Sequence, residues 1–368
     1  MKFILQIDTG PWHAEHNPPE DIVRSVRKIA SLIPVDKVII GWNTDPSLYR
    51  TVGEYLHQAG IRMILWLPVF AGTGEVCRTD RALDLYGNPV ATPARLAGEA
   101  FVFDCPSSRR NIRATEDLYE KYFSGCGFDG VFLDRIRSQS FVSGVPGVLS
   151  CGCERCRKQF LDRGVDPDAV RELYETKKNS FFDMARYPMD GQFVLKEKLA
   201  QRFFEVKEAI IAGAVAELCR FFRAKGLIVG LDLFAPVISR FVGQNYALVA
   251  QHADFIKPML YRRTEAPAGI GYEYSLFEKY VPDARGRAEL ALDEVFLETQ
   301  MEAVGKVPCE KYPGVEINYN EALVRTDAAY IAEFVTAVGK HGFEGAALCW
   351  NVMRAPDAYI EAAAGACI

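Results

Sequence analysis

Eight short apolar, β-branched runs, most of them followed by polar stretches with helical spacing, predict an α/β chain folded as a (β/α)8 TIM barrel. Two further features support that fold. The runs are apolar on both faces, as strands of a parallel sheet covered by helices must be. Charge breaks in at their carboxyl ends, most plainly in Gly127-Phe128-Asp129-Gly130-Val131-Phe132-Leu133-Asp134-Arg135-Ile136-Arg137. In a closed barrel those ends form one rim, and the chemistry of such folds sits there.

The elements follow in order. Residues 3–8 form the first strand and 19–32 the first helix; strands at 37–42 and 62–69 flank a helix at 47–59. A polar, Gly-rich segment over 71–98 precedes a short extra strand at 101–104. Ser107 or Ser108 caps a helix running to Tyr122. Strands four to eight fall at 130–134, 227–233, 255–261, 314–318 and 345–351. The later helices fall at 245–252, 327–341 and 356–364, and a helical pattern over 193–223 reads as scaffold. The 368 residues exceed the roughly 250 of a typical barrel. Most of the excess lies between strands four and five, so residues 138–190 are read as an insertion within one catalytic domain spanning 1–368.

Composition is that of a globular protein: 49% hydrophobic, 25% charged, net charge −5. That balance argues against a nucleic-acid partner, which favours a basic face. No apolar run is long enough to span a bilayer. The opening strand meets Asp8 too early for a signal peptide, so the expected location is cytoplasmic.

All four tryptophans fall at strand mouths: Trp12 after strand one, Trp42 on two, Trp66 on three and Trp350 on eight. Flat aromatic faces beside carboxylates suit the apolar faces of sugar rings. The strand ends supply Asp8, Asp134, Asp232 and Glu316, remote in sequence and brought together by barrel closure. Glycosidic cleavage needs such a pair: one carboxyl protonates the leaving oxygen, and another attacks the sugar or activates water. Asp134 is the leading catalytic candidate, with Glu316 or Asp232 as its partner. Position alone does not say which is acid and which nucleophile. Arg135, Arg137, Lys257, Tyr261, Asn318 and Asn351 add charge and hydrogen bonds around a carbohydrate substrate, and Asp8 and His13 are placed to orient it.

The run from Gly127 to Asp134 resembles the strand-four motif of α-amylase-type and polygalactosaminidase-type glycoside hydrolases. In the α-amylase type its last Asp is the nucleophile. The arginine those enzymes carry two residues earlier is Phe132 here. Asp232-Leu233-Phe234, Gly243-Gln244 and Lys257-Pro258-Met259-Leu260-Tyr261 resemble a pattern in uncharacterised glycoside hydrolase barrels. These resemblances imply the barrel and a retaining glycosidase.

Of ten cysteines, Cys151, Cys153 and Cys156 lie within one turn of a following helix, the spacing of metal ligands. Structural zinc takes four such thiolates in a tetrahedron, which leaves no open position for catalysis. Cys105, on the same side as the insertion, is the expected fourth ligand; Cys126 precedes strand four at the opposite end. With Arg157-Lys158-Gln159-Phe160 following, the set is similar to the zinc cluster of family-42 β-galactosidases. Those enzymes carry Asn-Glu where this chain has Leu133-Asp134, and their strand-seven Glu nucleophile would correspond to Glu316.

Two other readings compete. A non-catalytic sugar-binding barrel would keep the aromatic rim without a placed second carboxyl. A metal-dependent hydrolase would use Asp8, His13 and His16. Phe181-Phe182 and Tyr187-Pro188 in the insertion are read as lining either a cleft or a subunit contact, which leaves a homo-oligomer open.

Overall fold

The structure, a computed structural model, describes residues 1–9, 17–71, 80–90, 102–178, 180–186, 193–286 and 289–367. The first half of the barrel is β1 (Lys2–Asp8), α1 (Pro19–Ala30), β2 (Val35–Gly41), α2 (Pro46–Gln58), β3 (Arg62–Pro68), α3 (Arg109–Tyr122) and β4 (Gly130–Asp134). Then come α4 (Gly144–Val148), α5 (Glu154–Leu161), α6 (Pro167–Thr176), a hairpin of β5 (Met184–Arg186) and β6 (Val194–Leu195), and α7 (Lys198–Arg223). The second half runs β7 (Ile228–Phe234), α8 (Pro236–Ser239), α9 (Tyr246–Ala250), β8 (Phe255–Met259), α10 (Ile270–Tyr280) and α11 (Glu294–Gly305). It ends with β9 (Glu310–Lys311), β10 (Gly314–Glu316), α12 (Ala328–Lys340), β11 (Gly345–Cys349) and α13 (Asp357–Gly365).

Eight parallel strands close the barrel in the order β1, β2, β3, β4, β7, β8, β10, β11 and back to β1. β9 pairs with the start of β8, and Gly314 opposite Met259 completes the ring. Nearly every strand residue is buried, because side chains alternate between the barrel interior and the helical shell. In the interior the rings of Phe132 and Phe255 stack at 6.1 Å and 9°. Gly230 makes room for them: a Cβ there would lie 2.0 Å from the Phe255 ring. Gly230→Ala is therefore expected to cost about 1–3 kcal/mol through overpacking. A lower urea midpoint at unchanged slope would show it; an unchanged midpoint would refute it.

The amino end of the barrel is closed by charge. Buried Lys37 lies 2.5 Å from Asp36, 3.1 Å from Glu310 and 2.9 Å from the Tyr312 hydroxyl. Burial works against the Asp36 charge, yet Arg62 and Lys37 hold its carboxyl well below the usual range. The carboxyl end is left for the site.

Several expected elements are shorter or different. β8, β10 and β11 stop at Met259, Glu316 and Cys349, because Tyr261, Asn318 and Asn351 leave the ladder to make side-chain contacts at the rim. The expected strand at 101–104 reduces to single bridges, Ala71 with Phe103 and Arg81 with Asp104. α10 and α11 were not anticipated. Ile270, Tyr274 and Phe277 carry helical spacing, but Gly269 and Gly271 obscure its start. Phe181 and Phe182 form neither a cleft nor an exposed contact. They are buried with Phe141 against Phe204 of α7 and Phe277 of α10, where they pack the insertion onto those helices, while Tyr187-Pro188 lies outside the described residues. Among the described residues no helix is long and apolar enough to cross a membrane.

Candidate active site

Strand register assembles the site. Leu133 on β4 pairs with Leu231 on β7, so the next residues along, Asp134 and Asp232, come level on neighbouring strands. Asp232 in turn pairs with Lys257 on β8. Both acids line a cavity of ≈ 370 Å³ at the carboxyl end of the barrel. Asp8, Trp42, Trp66, Arg135, Arg137, Lys257, Tyr261, Asn318, Trp350 and Asn351 line it too.

The two carboxyls sit in opposite surroundings. Half-buried Asp134 accepts at both oxygens, from Trp66 Nε1 at 3.0 Å and from the Arg135 backbone N–H at 2.5 Å. Asp232 is buried, and burial pushes its pKa up to about 7; the Asp134 charge adds to this, and Lys257 opposes it. Lys257 Nζ lies 3.1 Å from Asp232 Oδ2 and donates to Tyr261 OH at 3.0 Å and Gln6 Oε1 at 3.3 Å. Burial opposes the Lys257 charge, but Asp232 keeps its pKa above the usual value. Two buried polar atoms on this wall, Asp232 Oδ1 and Gln6 Nε2, have no hydrogen-bond partner among the described residues. Such atoms are costly unless a ligand or water completes them. Gln6 escaped the sequence reading, although a lone amide inside an apolar strand is the signal that marks it.

The aromatic rim is built at a backbone cost. Trp42 and Arg135 hold φ of 82° and 54°, the left-handed region that disfavours residues with a Cβ. The turn after Gly41 lets β2 approach Trp66, since a Cβ on Gly41 would lie 2.4 Å from the Trp66 carbonyl oxygen. Trp42 then packs on Trp66 with centroids 4.7 Å apart, and the Arg135 guanidinium lies over Trp42 at 4.8 Å. Across the cavity Trp350 meets Tyr261 edge-on at 5.9 Å. Asn318 positions that side: its Oδ1 accepts from the Trp350 and Asn351 N–H groups at 2.8 and 2.9 Å, and its Nδ2 donates to the Asn351 carbonyl.

Glu316 requires a correction, because it does not line the cavity. Its carboxyl is wholly buried and held by the Arg263 N–H at 2.7 Å and Tyr330 OH at 2.9 Å. Burial raises its pKa to about 7, but its hydrogen bonds run to the loop after β8 and to α12. The acids that line the cavity are Asp8, Asp134 and Asp232, and Asp232 is the one level with Asp134 on the neighbouring strand. Trp12, His13 and His16 lie outside the described residues, so the Asp8-centred metal reading gains no geometry.

Beside the barrel mouth, Cys105, Cys151, Cys153 and Cys156 bring their sulfurs within 4.8 Å of one another. Cys105 Sγ is 3.4 Å from Cys153 Sγ and 3.6 Å from Cys156 Sγ, too far for a disulfide and near the roughly 3.8 Å edge of a zinc–thiolate tetrahedron. The set can hold a metal ion. Cys126 is elsewhere, its thiol directed at the Tyr122 carbonyl. The two candidate caps divide their roles. Ser108 accepts from the Asn111 N–H and caps α3, while Ser107 Oγ lies 3.1 Å from Cys156 Sγ. Gln159 Nε2 donates to that same Ser107 oxygen at 2.8 Å, which leaves the hydroxyl hydrogen for the sulfur.

No protein-family model and no curated protein sequence matches the chain. Solved structures do resemble it. The glycoside hydrolase domain of PgaB (BpsB) from Bordetella bronchiseptica superposes with a TM-score of 0.62 at 14% identity, over 97% of each chain. A class V chitinase from Pseudomonas fluorescens Pf-5 gives 0.52 at 10% identity over 99% of each chain. Alpha-L-fucosidase isoenzyme 2 from Paenibacillus thiaminolyticus gives 0.56 at 10% identity, over 100% of this chain and 48% of that one. At such identities the likeness is one of architecture: the chain shares the TIM barrel of these glycoside hydrolases.

Proposed function

We propose that the protein hydrolyses a glycosidic bond with Asp134 and Asp232 as its carboxyl pair. The observation that carries this reading is the contrast between two acids in one cavity. Paired carboxyls whose environments differ divide into proton donor and carboxylate. Asp232, raised to about 7 and with Oδ1 unpartnered, is the proton donor to the leaving oxygen. Asp134, with donors on both oxygens and nearer solvent, is the carboxylate that attacks the anomeric carbon, giving retention of configuration. Once the leaving group departs, Asp232, now a carboxylate, takes a proton from a water whose oxygen attacks the anomeric carbon, which breaks the ester bond to Asp134 and restores both carboxyls. Lys257 positions Asp232, and Trp66 fixes Asp134 through its indole N–H while its ring, with Trp42 and Trp350, walls the sugar. The fold shared with glycosidases and chitinases supports the class of reaction.

The four thiols would hold a zinc ion as thiolates. With its shell closed, such an ion supplies cross-linking of the insertion to the loop at Cys105 and no Lewis acid to the substrate.

The test is turnover of a panel of aryl glycosides, followed by proton NMR of the first-formed product on a cleaved substrate. Retention is expected, and inversion would remove Asp134 as nucleophile. No cleavage of any member, by wild-type protein active in sugar binding, would favour a binding barrel.

A further inference from the structure

The cavity holds a cation that the carboxyl pair does not use. Arg137 lies three residues beyond Asp134 and lines the cavity at 6% exposure. Its guanidinium carbon sits 4.7 Å from the Phe103 ring centroid and 4.4 Å from that of Phe234, and Nη1 donates to the Ser138 carbonyl at 2.9 Å. Glu273, Asp134 and Asp232 are near enough to act on it electrostatically, but none among the described residues forms an ion pair with it. Buried arginines elsewhere are matched: Arg240 with Glu208 at 2.7 Å and Arg262 with Glu333 at 2.6 Å. A guanidinium taken out of water is costly until an anion completes it. Burial accordingly pulls the Arg137 pKa down to about 10.

The rest of the lining points the same way. Arg135, Arg137, Lys257 and Arg354 face Asp8, Asp134 and Asp232. Among the described lining residues four cationic side chains thus stand against three carboxyls, and protonation of Asp232 would leave two carboxylates against them.

We propose that the sugar bound here is acidic, with an oxyanion that pairs with Arg137. The inference rests on the glycosidase reading and adds the class of substrate. A guanidinium edge matches a carboxylate with two parallel N–H donors, as in a hexuronate. A sulfate ester offers the same oxygens, and the experiment separates the two sources.

Isothermal titration of the full chain would compare D-glucuronate and D-galacturonate with D-glucose and D-galactose, and D-glucose 6-sulfate with D-glucose. The expected result is an acidic sugar bound about tenfold or more tighter than its neutral counterpart, the size of one charge-assisted hydrogen bond. Arg137→Gln should abolish that preference, and Arg137→Lys, which keeps charge but not the fork, should retain part of it. Circular dichroism establishes that each variant folds, and the wild-type preference decides the matter if neither does. A preference for the sulfate alone supports the oxyanion and names its source. Equal affinity for acidic and neutral sugars, no binding of any acidic sugar, or a preference surviving in Arg137→Gln overturns the proposal. Binding is read without turnover, so hydrolysis is judged separately by aryl glycoside cleavage and its loss in Asp134→Asn. Acidic preference without cleavage removes the hydrolase alone; cleavage of neutral glycosides without acidic preference removes the proposal alone.

Discussion

Asp232→Asn should lower kcat by roughly 10²–10⁴ on glycosides with poor leaving groups, the range for loss of a positioned general acid. The deficit should shrink on a dinitrophenyl glycoside, whose departure needs little protonation. Asp134→Asn should be severe on both, because no leaving group replaces the attacking carboxylate. The sign of the pH dependence follows from the raised pKa. Asp232 must be protonated to act, so wild-type kcat should fall as pH rises through about 7. The variant, which has no proton to lose at that position, should show no such alkaline limb. A leaving-group dependence identical in wild type and Asp232→Asn would exclude Asp232 as proton donor.

If the four cysteines hold zinc as proposed, losing it should have the largest effect on stability. Purified protein is expected to carry one equivalent of zinc by elemental analysis. Cys156→Ser, or a strong chelator during unfolding, should then remove several kcal/mol. Structural zinc contributes about 10–16 kcal/mol in small zinc-finger peptides, but only part of that applies here. The insertion is also anchored by packing, since Phe160 stacks on Phe203 of α7 at 4.7 Å. Calorimetry should show Tm lowered by about 5–10 °C. The effect should reach the cavity, because Phe103, two residues before Cys105, packs on Arg137. Weaker binding of acidic sugars should therefore accompany metal loss. Protein refolded with zinc that retains none, and whose Tm ignores chelator, would leave these four cysteines as reduced thiols.

Much of the barrel could be read from the chain, because burial on both faces forces parallel strands to be apolar and confines charge to their ends. That constraint placed Asp134, Asp232, Trp42, Trp66 and Trp350 on one rim before any contact was known. The clustered cysteines were legible for a different reason: Cys151, Cys153 and Cys156 lie within six residues of one another. Glu316 ends a strand as Asp232 nearly does, yet β10 is so short that the loop after β8 and Tyr330 on α12 capture its carboxyl. Strand position carries no information about which neighbour reaches a side chain first.

The sequence by itself determined the alternation of strands and helices, the polar rim and the thiol set, all of which depend on spacing along one chain. Only the tertiary structure decided that Asp232 rather than Glu316 faces the cavity with Asp134, that burial lifts its pKa, and that Arg137 has no ion-pair partner among the described residues. Those properties depend on desolvation and on distances between segments far apart in the chain, which closure of the barrel creates.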